Sequence, residues 1–535
     1  MPLPNNPRAV WPPEDLYDVT AKMTEWSAWY GGDPDRLRDV YGGVPAGGRI
    51  RWFRFWTRIA KNPEAQKAEL HVPIAGDLAA VSGALLFGEE PRIFFKEAQG
   101  ADAGDPEKAA DARLQEMIMD GGAYNRLVEA AETAAAMGGV YLYPGWDTAV
   151  AQVPVINVIQ ADQAVPEFTM GLLKSVVFWR EVDKVDNGAS ERSIVRHLEE
   201  HSVEFGRAQI THALFIGDAR HIGTRLSENA VRSNLGLEPL IQLPFAELDV
   251  QYVPNMRPNR LWRKSGLGLS DYSGNEGIFD ALDEVYASWM RDIRLAKARI
   301  IVPKEFLDEN GTMDIDWEVY QPMDMDPNTM DQGTRAMLAQ QFEIRHAEHL
   351  ATAAELVERA VSNAGYSPGT FGIKSPQRAD SSPALRFREA KTVLTVKRKA
   401  NWWGPALKRL FYHMALIDEW QFAGPGGKGL TIVTEMNDGI PSDPMELAQT
   451  ANTLSAAKAA SIESRVRLVN PHAEEVWVQA EVLRIKDEEK AAAPAMGRFA
   501  PGPPDSEGSA DVPNPEGSQE GDAATLPSEI EEAIE

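Results

Sequence analysis

The pentapeptide HLEEH, His197 to His201, has the H-x-x-E-H spacing of an inverted zinc-protease motif. On a helix its two histidines would share one face and could hold a metal ion that activates water for hydrolysis. The surrounding RSIVRHLEEHSVEF alternates as a strand does, which would set the two imidazoles about 13 Å apart. The expectation is an exposed strand, with a His197/His201 metallohydrolase kept as the alternative. Two other stretches resemble known loops and fail on composition. In GPGGKGL, Gly424 to Leu430, a phosphate loop would need glycine at Phe422 and Ser or Thr at Gly429. GLGLSDYSG, Gly266 to Gly274, lacks the G-x-S-x-G order of a nucleophile elbow. No histidine–carboxylate pair stands out as an acid–base set. The sequence reads as non-enzymatic, with no catalytic residue, no cofactor and no metal.

Charge gives a second kind of chemistry. Lys374, Arg378, Arg386, Arg388, Lys391, Lys397, Arg398, Lys399, Lys408 and Arg409 stand together, against only Asp380 and Glu389. Most of these read as a solvated or subunit-bridging helix face. Lys374 and Arg378 lie in a loop, YSPGTFGIKSPQRADSS, where two cations could touch a phosphate backbone weakly and without sequence preference. The rest of the chain is acidic. Its formal net charge is −26, and removing the ten carboxylates from Asp505 onward still leaves −16. A surface of that sign does not hold DNA by phosphate neutralisation, but it lets DNA slide past without sticking.

The elements that must position these residues follow from periodicity. Helices are expected over Asp15 to Tyr30, Glu64 to Phe87, and Ala110 to Met137 with a break at Gly121 and Gly122. Strands are expected at VYLYPGW, VINVIQA, LLKSVVFWREV and SIVRHLEEHSVEF, between turn residues. Phe279, Leu282, Tyr286, Trp289, Ile293, Ala296 and Ile300 then alternate steps of three and four, the seam of a long helix packing lengthwise on neighbours. RIIVP breaks that rhythm with a β-branched run closed by proline. Asn310-Gly311 suggests a hairpin. A second long helix is expected from Arg335 to the stop at Gly365, with a small-residue face of Ala347, Ala351, Ala354, Val357 and Val361. A third opens at Ser382 and Pro383, GLTIVTEM is a strand, and two Ala-rich helices occupy Pro444 to Lys490. No internal repeat is present.

With 535 residues the chain is long enough for several domains. Its 43% hydrophobic and 25% charged residues suit a globular protein, and no apolar run reaches eighteen residues. The start lacks the basic and apolar regions of a signal peptide. Zero cysteines exclude disulfides and thiolate metal sites, and suit assembly in a reducing cytosol. The segment after Lys490 is low-complexity and acidic, and reads as disordered.

In order along Asp77 to Val393, the blocks DLAAVSGALLFGEEP, AAAMGGVYLYPGWD, QADQAVPEF, YVPNMRPNR, YASWMRDIRLAKARIIVP, SPGTFGI and SPALRFREAKTVL resemble portal proteins of tailed double-stranded-DNA bacteriophages, in the branch typical of phages of actinobacteria. The resemblance implies an α+β, mainly helical fold with wing, stem, clip and crown regions, forming a ring round a central channel. It implies a wing over 1–272, a first stem helix over 273–300, a clip over 301–331 and a second stem helix over 332–365. A tunnel loop over 366–383, a wing helix and strand over 384–443 and crown helices over 444–490 would follow, with 491–535 as the disordered tail. Lys374, Gln377 and Arg378 would face DNA, and Leu282, Tyr286, Trp289, Ile293 and Ala296 would pack subunits together. The implied function is a structural conduit for genome packaging and ejection and a docking site for terminase and head-completion proteins. The implied partners are a homo-oligomer, usually dodecameric, passing double-stranded DNA without sequence preference, terminase, major capsid and head-completion proteins, and no membrane. The implied location is the portal vertex of the virion, assembled in the host cytoplasm. A non-channel scaffold or adaptor is the further alternative.

Overall fold

The computed structural model describes residues 3–42, 55–57, 70–99, 104–186, 192–295, 299–303, 320–323, 338–340, 344–373, 389–436, 444–470, 473 and 475–492. The chain forms two compact units, Met1–Leu447 and Ala448–Glu535. Helices α1 (Tyr17–Gly31), α2 (Pro34–Gly42), α3 (Ile74–Phe87), α4 (Asp105–Asp120) and α5 (Ala123–Met137) dominate the first third, with the short strand β1 (Arg92–Phe95). The expected break between α4 and α5 falls at Gly121 and Gly122, where Gly122 takes a left-handed φ of 59°.

Strand β2 (Gly139–Gly145) divides the interior in two. It lies between β3 (Val155–Gln160) and β10 (Gln251–Pro254), antiparallel to both, and all its residues are buried. Side chains alternate along a strand. Val140 and Leu142 therefore enter one core with α4 and the long helix α9 (Ala390–Gln421), while Tyr141 and Tyr143 enter the other with α1 and α3. Close packing of α3 on α5 needs Gly83, because a Cβ there would stand 3.1 Å from the Glu132 nitrogen and the Val128 carbonyl. Helix α9 runs through Pro405 and buries Trp403, Leu407, Leu410, Phe411 and Met414, each worth about 1.5–3 kcal/mol. Strand β14 (Ile432–Glu435) then pairs with β1.

An antiparallel sheet follows, of β4 (Ala164–Thr169), β5 (Leu172–Asp186), β6 (Arg192–Glu204), β7 (Arg207–Gly217) and β8 (Thr224–Arg225), with β9 (Leu240–Gln242) also on β7. Its two tight hairpins turn at Met170-Gly171 and Phe205-Gly206, all four residues at positive φ. Helix α6 (Glu228–Leu235) lies beyond β8.

The seamed helix is α7 (Glu276–Leu295), about 30 Å long at 1.5 Å per residue, and it packs on α8 (His346–Ala364). Strand β11 (Arg299–Pro303) forms as expected, but not in a hairpin. It pairs in parallel with β12 (Tyr320–Met323) and antiparallel with β13 (Leu338–Gln340). The expected helix from Arg335 is thus corrected: Leu338–Gln340 gives its backbone hydrogen bonds to β11, and α8 begins only at His346. Helix propensity is a weak prior that such pairing overrides. Asn310-Gly311, Ala296, Ser382, Pro383 and the tail beyond 492 lie outside the described residues. The Ala-rich segment holds three helices rather than two, α10 (Pro444–Ala456), α11 (Ile462–Val469) and α12 (Glu475–Ala492). In the smaller unit Val466, Val478 and Val482 make a modest core.

Candidate functional site

The root of the α7–α8 pair is held by carboxylates. Glu276, Asp280 and Asp283 recur at steps of four and three, so they share one helix face. Glu276 accepts hydrogen bonds from Trp26 Nε1 (3.0 Å) and from the Gly274 amide (2.9 Å). At the first turn its charge also complements the helix dipole. Asp280 accepts from the amides of Phe55 and Trp56. Asp283, wholly buried, accepts from Trp56 Nε1 and the Val72 amide and faces His71 Nδ1, all at 2.9 Å. Charges this deep persist only when hydrogen-bonded. Asn275, just before α7, donates from Nδ2 to the Ala360 carbonyl of α8.

Asp271 is a second anchor, in the loop GLGLSDYSG. Its Oδ2 accepts from Lys399 Nζ (2.7 Å) and Tyr366 OH (2.9 Å), and its Oδ1 from Asn255 Nδ2 (2.8 Å). Lys399 also donates to Ser82 Oγ and to Tyr366 OH, both at 2.8 Å, so the three ammonium protons are all used. Burial lowers the Lys399 pKa, against the opposing pull of Asp271. Burial and then Asp271 hold the Tyr366 phenol protonated, far above its ordinary range. This cluster ties α3, the loop before α7, the end of α8 and α9 into one body.

Along α7 the expected seam changes character. Phe279 and Leu282 are buried within the subunit, Tyr286 and Trp289 are half-buried, and Ile293 is 41% exposed. Trp289 lies against His346 and parallel to His349, with ring centroids 5.6 and 6.1 Å away. Asp292 takes Arg345 Nη2 (3.0 Å) and His349 Nε2 (3.1 Å), and these hydrogen bonds lower its pKa. The small-residue face of α8 is likewise divided. Val361 is buried and Val357 half-buried, but Ala347, Ala351 and Ala354 are exposed beside Leu350 at 51%. The helix instead buries Ala353, Ala360, Val361 and Ala364. Among the described residues, Met290 and Ile293 on α7 and Leu350 with the three alanines on α8 are therefore exposed apolar positions of this helix pair.

HLEEH lies on β6, a strand as expected, but not an exposed one. His197 and His201 are 2% and 0% exposed; His201 packs against Tyr143 and Phe178, and His197 stacks on His212. The two histidines do not converge. His197 Nε2 meets His212 Nδ1 of β7 at 3.2 Å, whereas His201 sits between Asp249 (2.8 Å) and Glu199 (3.0 Å). Burial opposes a charge on His201, but the two carboxylates outweigh it and push it up to about 10. Burial brings His197 down to about 4. Glu199, despite burial, is drawn down to about 2 by its hydrogen bond to His201 and the surrounding histidines.

Of the basic stretch, Lys391, Lys397, Arg398, Lys408 and Arg409 are exposed on α9, in keeping with a helix face in solvent. Lys399 is the correction: it points inward to Asp271. Lys374, Gln377 and Arg378 lie outside the described residues. The acidic stripe on α7 went unread because its apolar neighbours carried the helical signal. Its own i, i+4, i+7 spacing was the available clue.

Buried carboxylates as anchors and a helix pair with exposed apolar positions define a structural building block. Among the described residues no helix is long and apolar enough to cross a membrane. Residues 21–495 match the family described as phage portal protein, SPP1 Gp6-like, and the chain belongs to that family. No curated protein matches the sequence. Membership supports a structural portal protein of a bacteriophage. The family implies an oligomeric ring with capsid, terminase and DNA partners at the virion's portal vertex.

Proposed function

We propose that the chain forms the dodecameric ring at the capsid's portal vertex through which the genome enters during packaging and leaves during ejection. It belongs in this reading to the branch found in phages of actinobacteria. The carrying observation is the set of exposed apolar positions on α7 and α8, where Met290, Ile293, Leu350, Ala347, Ala351 and Ala354 offer neighbouring subunits an apolar, small-residue contact. These helices act as the stem, 301–331 as the clip that docks terminase and then head-completion proteins, and 444–490 as the crown. An acidic wall keeps the duplex mobile, while Lys374, Gln377 and Arg378 of the tunnel loop steady it. Electron microscopy of the purified full chain tests this: rings with an open centre are expected, and compact particles without a central opening would refute it. Replacing Lys374 and Arg378 by Ser should leave rings intact and reduce packaged DNA; unchanged packaging would remove the loop from DNA contact.

A further inference from the structure

Strands β6 and β7 bring together a donor set that lies outside the α7–α8 pair. Glu199 and His212 are directly paired across the two strands, and His197 lies diagonally from His212 on the same face. We propose that His197, Glu199 and His212 bind one divalent transition-metal ion of the zinc type, which ties β6 to β7.

Three features of the geometry support this. First, His197 Nε2 and His212 Nδ1 are 3.2 Å apart. Two nitrogens on one tetrahedral zinc, each at about 2.0–2.1 Å, stand about 3.3 Å from one another. The imidazoles are thus already at the separation a shared ion requires. Second, Glu199 Oε2 lies 3.9 Å from His212 Nδ1, and all three donor atoms fall within 4.8 Å of one another. A small carboxylate rotation completes the set. Third, the carboxylate is held from behind. Glu199 Oε1 accepts from Tyr143 OH and His201 Nε2, both at 3.0 Å, and His201 is backed by Asp249 at 2.8 Å. Outer partners of this kind aim metal-binding groups and raise affinity.

Two imidazoles and a carboxylate suit zinc better than calcium or magnesium, which prefer all-oxygen sites. His197 and His212 are 2% and 5% exposed, so a bound ion would be shielded from bulk water and from a macromolecular substrate. Its role is therefore structural. Two nearby cations oppose binding, Arg180, opposite His197 on β5, and the charged His201 against Glu199; Asp249 offsets His201, and Glu199 supplies the negative charge at the ion itself.

The test uses full-length protein stripped with chelator and then titrated with zinc chloride or cobalt chloride. Stoichiometric binding is expected, with a tetrahedral-type visible absorption band for cobalt and a higher melting temperature with zinc. The band should vanish in His197→Gln and His212→Gln and persist in His221→Gln, whose imidazole pairs with Asp218 instead. A wild-type protein that shows no band, or a band undiminished in a folded His197→Gln or His212→Gln variant, overturns the proposal. Should those two variants fail to fold, Tyr143→Phe decides. It removes only a hydroxyl behind Glu199 and should weaken metal affinity about 10–100-fold; unchanged affinity there overturns the assignment equally.

Discussion

Replacing Lys399 by Met is the sharpest probe of how the larger unit is held together. The side chain is 1% exposed and donates to Asp271, Ser82 and Tyr366. Met fills a similar volume but leaves the Asp271 carboxylate without its cation. Breaking a buried pair from one side costs about 3–5 kcal/mol. Asp271 would keep Tyr366 OH and Asn255 Nδ2 as donors, and hydrogen bonds to a charged group contribute about 1.5–3 kcal/mol each, which places the loss near 3 kcal/mol. Urea unfolding of the full chain, followed by tryptophan fluorescence, measures it. The double variant Lys399→Met with Asp271→Asn removes both charges and keeps an amide for the remaining partners. It should recover all but about 1 kcal/mol. If the single variant loses less than about 1 kcal/mol, the value of an exposed pair, the charge pairing carries no such weight. A double variant no more stable than the single would refute the reasoning just as firmly.

Asp283→Ala leaves Trp56 Nε1, the Val72 amide and His71 Nδ1 without an acceptor, at about 1–3 kcal/mol for each unmet buried group. A thermal unfolding curve superimposable on wild type would show that the stripe on α7 is not an anchor. Trp289→Asp places a charge between Tyr286, His346 and His349 and should abolish rings or the fold, read by electron microscopy and circular dichroism; normal rings would remove Trp289 from the seam. Burial lowers the pKa of His413, against Asp249 and Glu247, with Arg409 adding to the lowering. Its folded pKa lies below the 6.5 of the free side chain, so the stability present above that pH is lost as pH falls towards the folded value. Melting temperature against pH should fall less steeply on the acid side in His413→Gln, and parallel curves would contradict the assignment.

Much of the framework was legible because its signals are local. The α4–α5 break sits at two glycines, and HLEEH alternates as a strand. The α7 seam follows a helical repeat, and RIIVP ends it as a strand. What escaped reading depends on partners far along the chain. His212 and Asp249 complete the environment of HLEEH from eleven and forty-eight residues beyond His201, and no motif spacing encodes that. Lys399 belongs to a run of cations that reads as solvated until Asp271, 128 residues earlier, is brought beside it. Leu338–Gln340 reads as helix because its pairing with β11 is non-local. The seam itself was half legible. Periodicity located the apolar positions but could not tell Leu282, buried inside the subunit, from Ile293, left exposed.

The carboxylates at the foot of α7 have a mechanical consequence. Oily contacts tolerate slippage, since one methyl serves much like another. Glu276, Asp280 and Asp283 each fit only particular donors, so the rod is keyed against both spinning and sliding, like a shaft with a cut slot. In a closed ring of such shafts, the bore would be gauged by fittings at their feet rather than by the walls that line it.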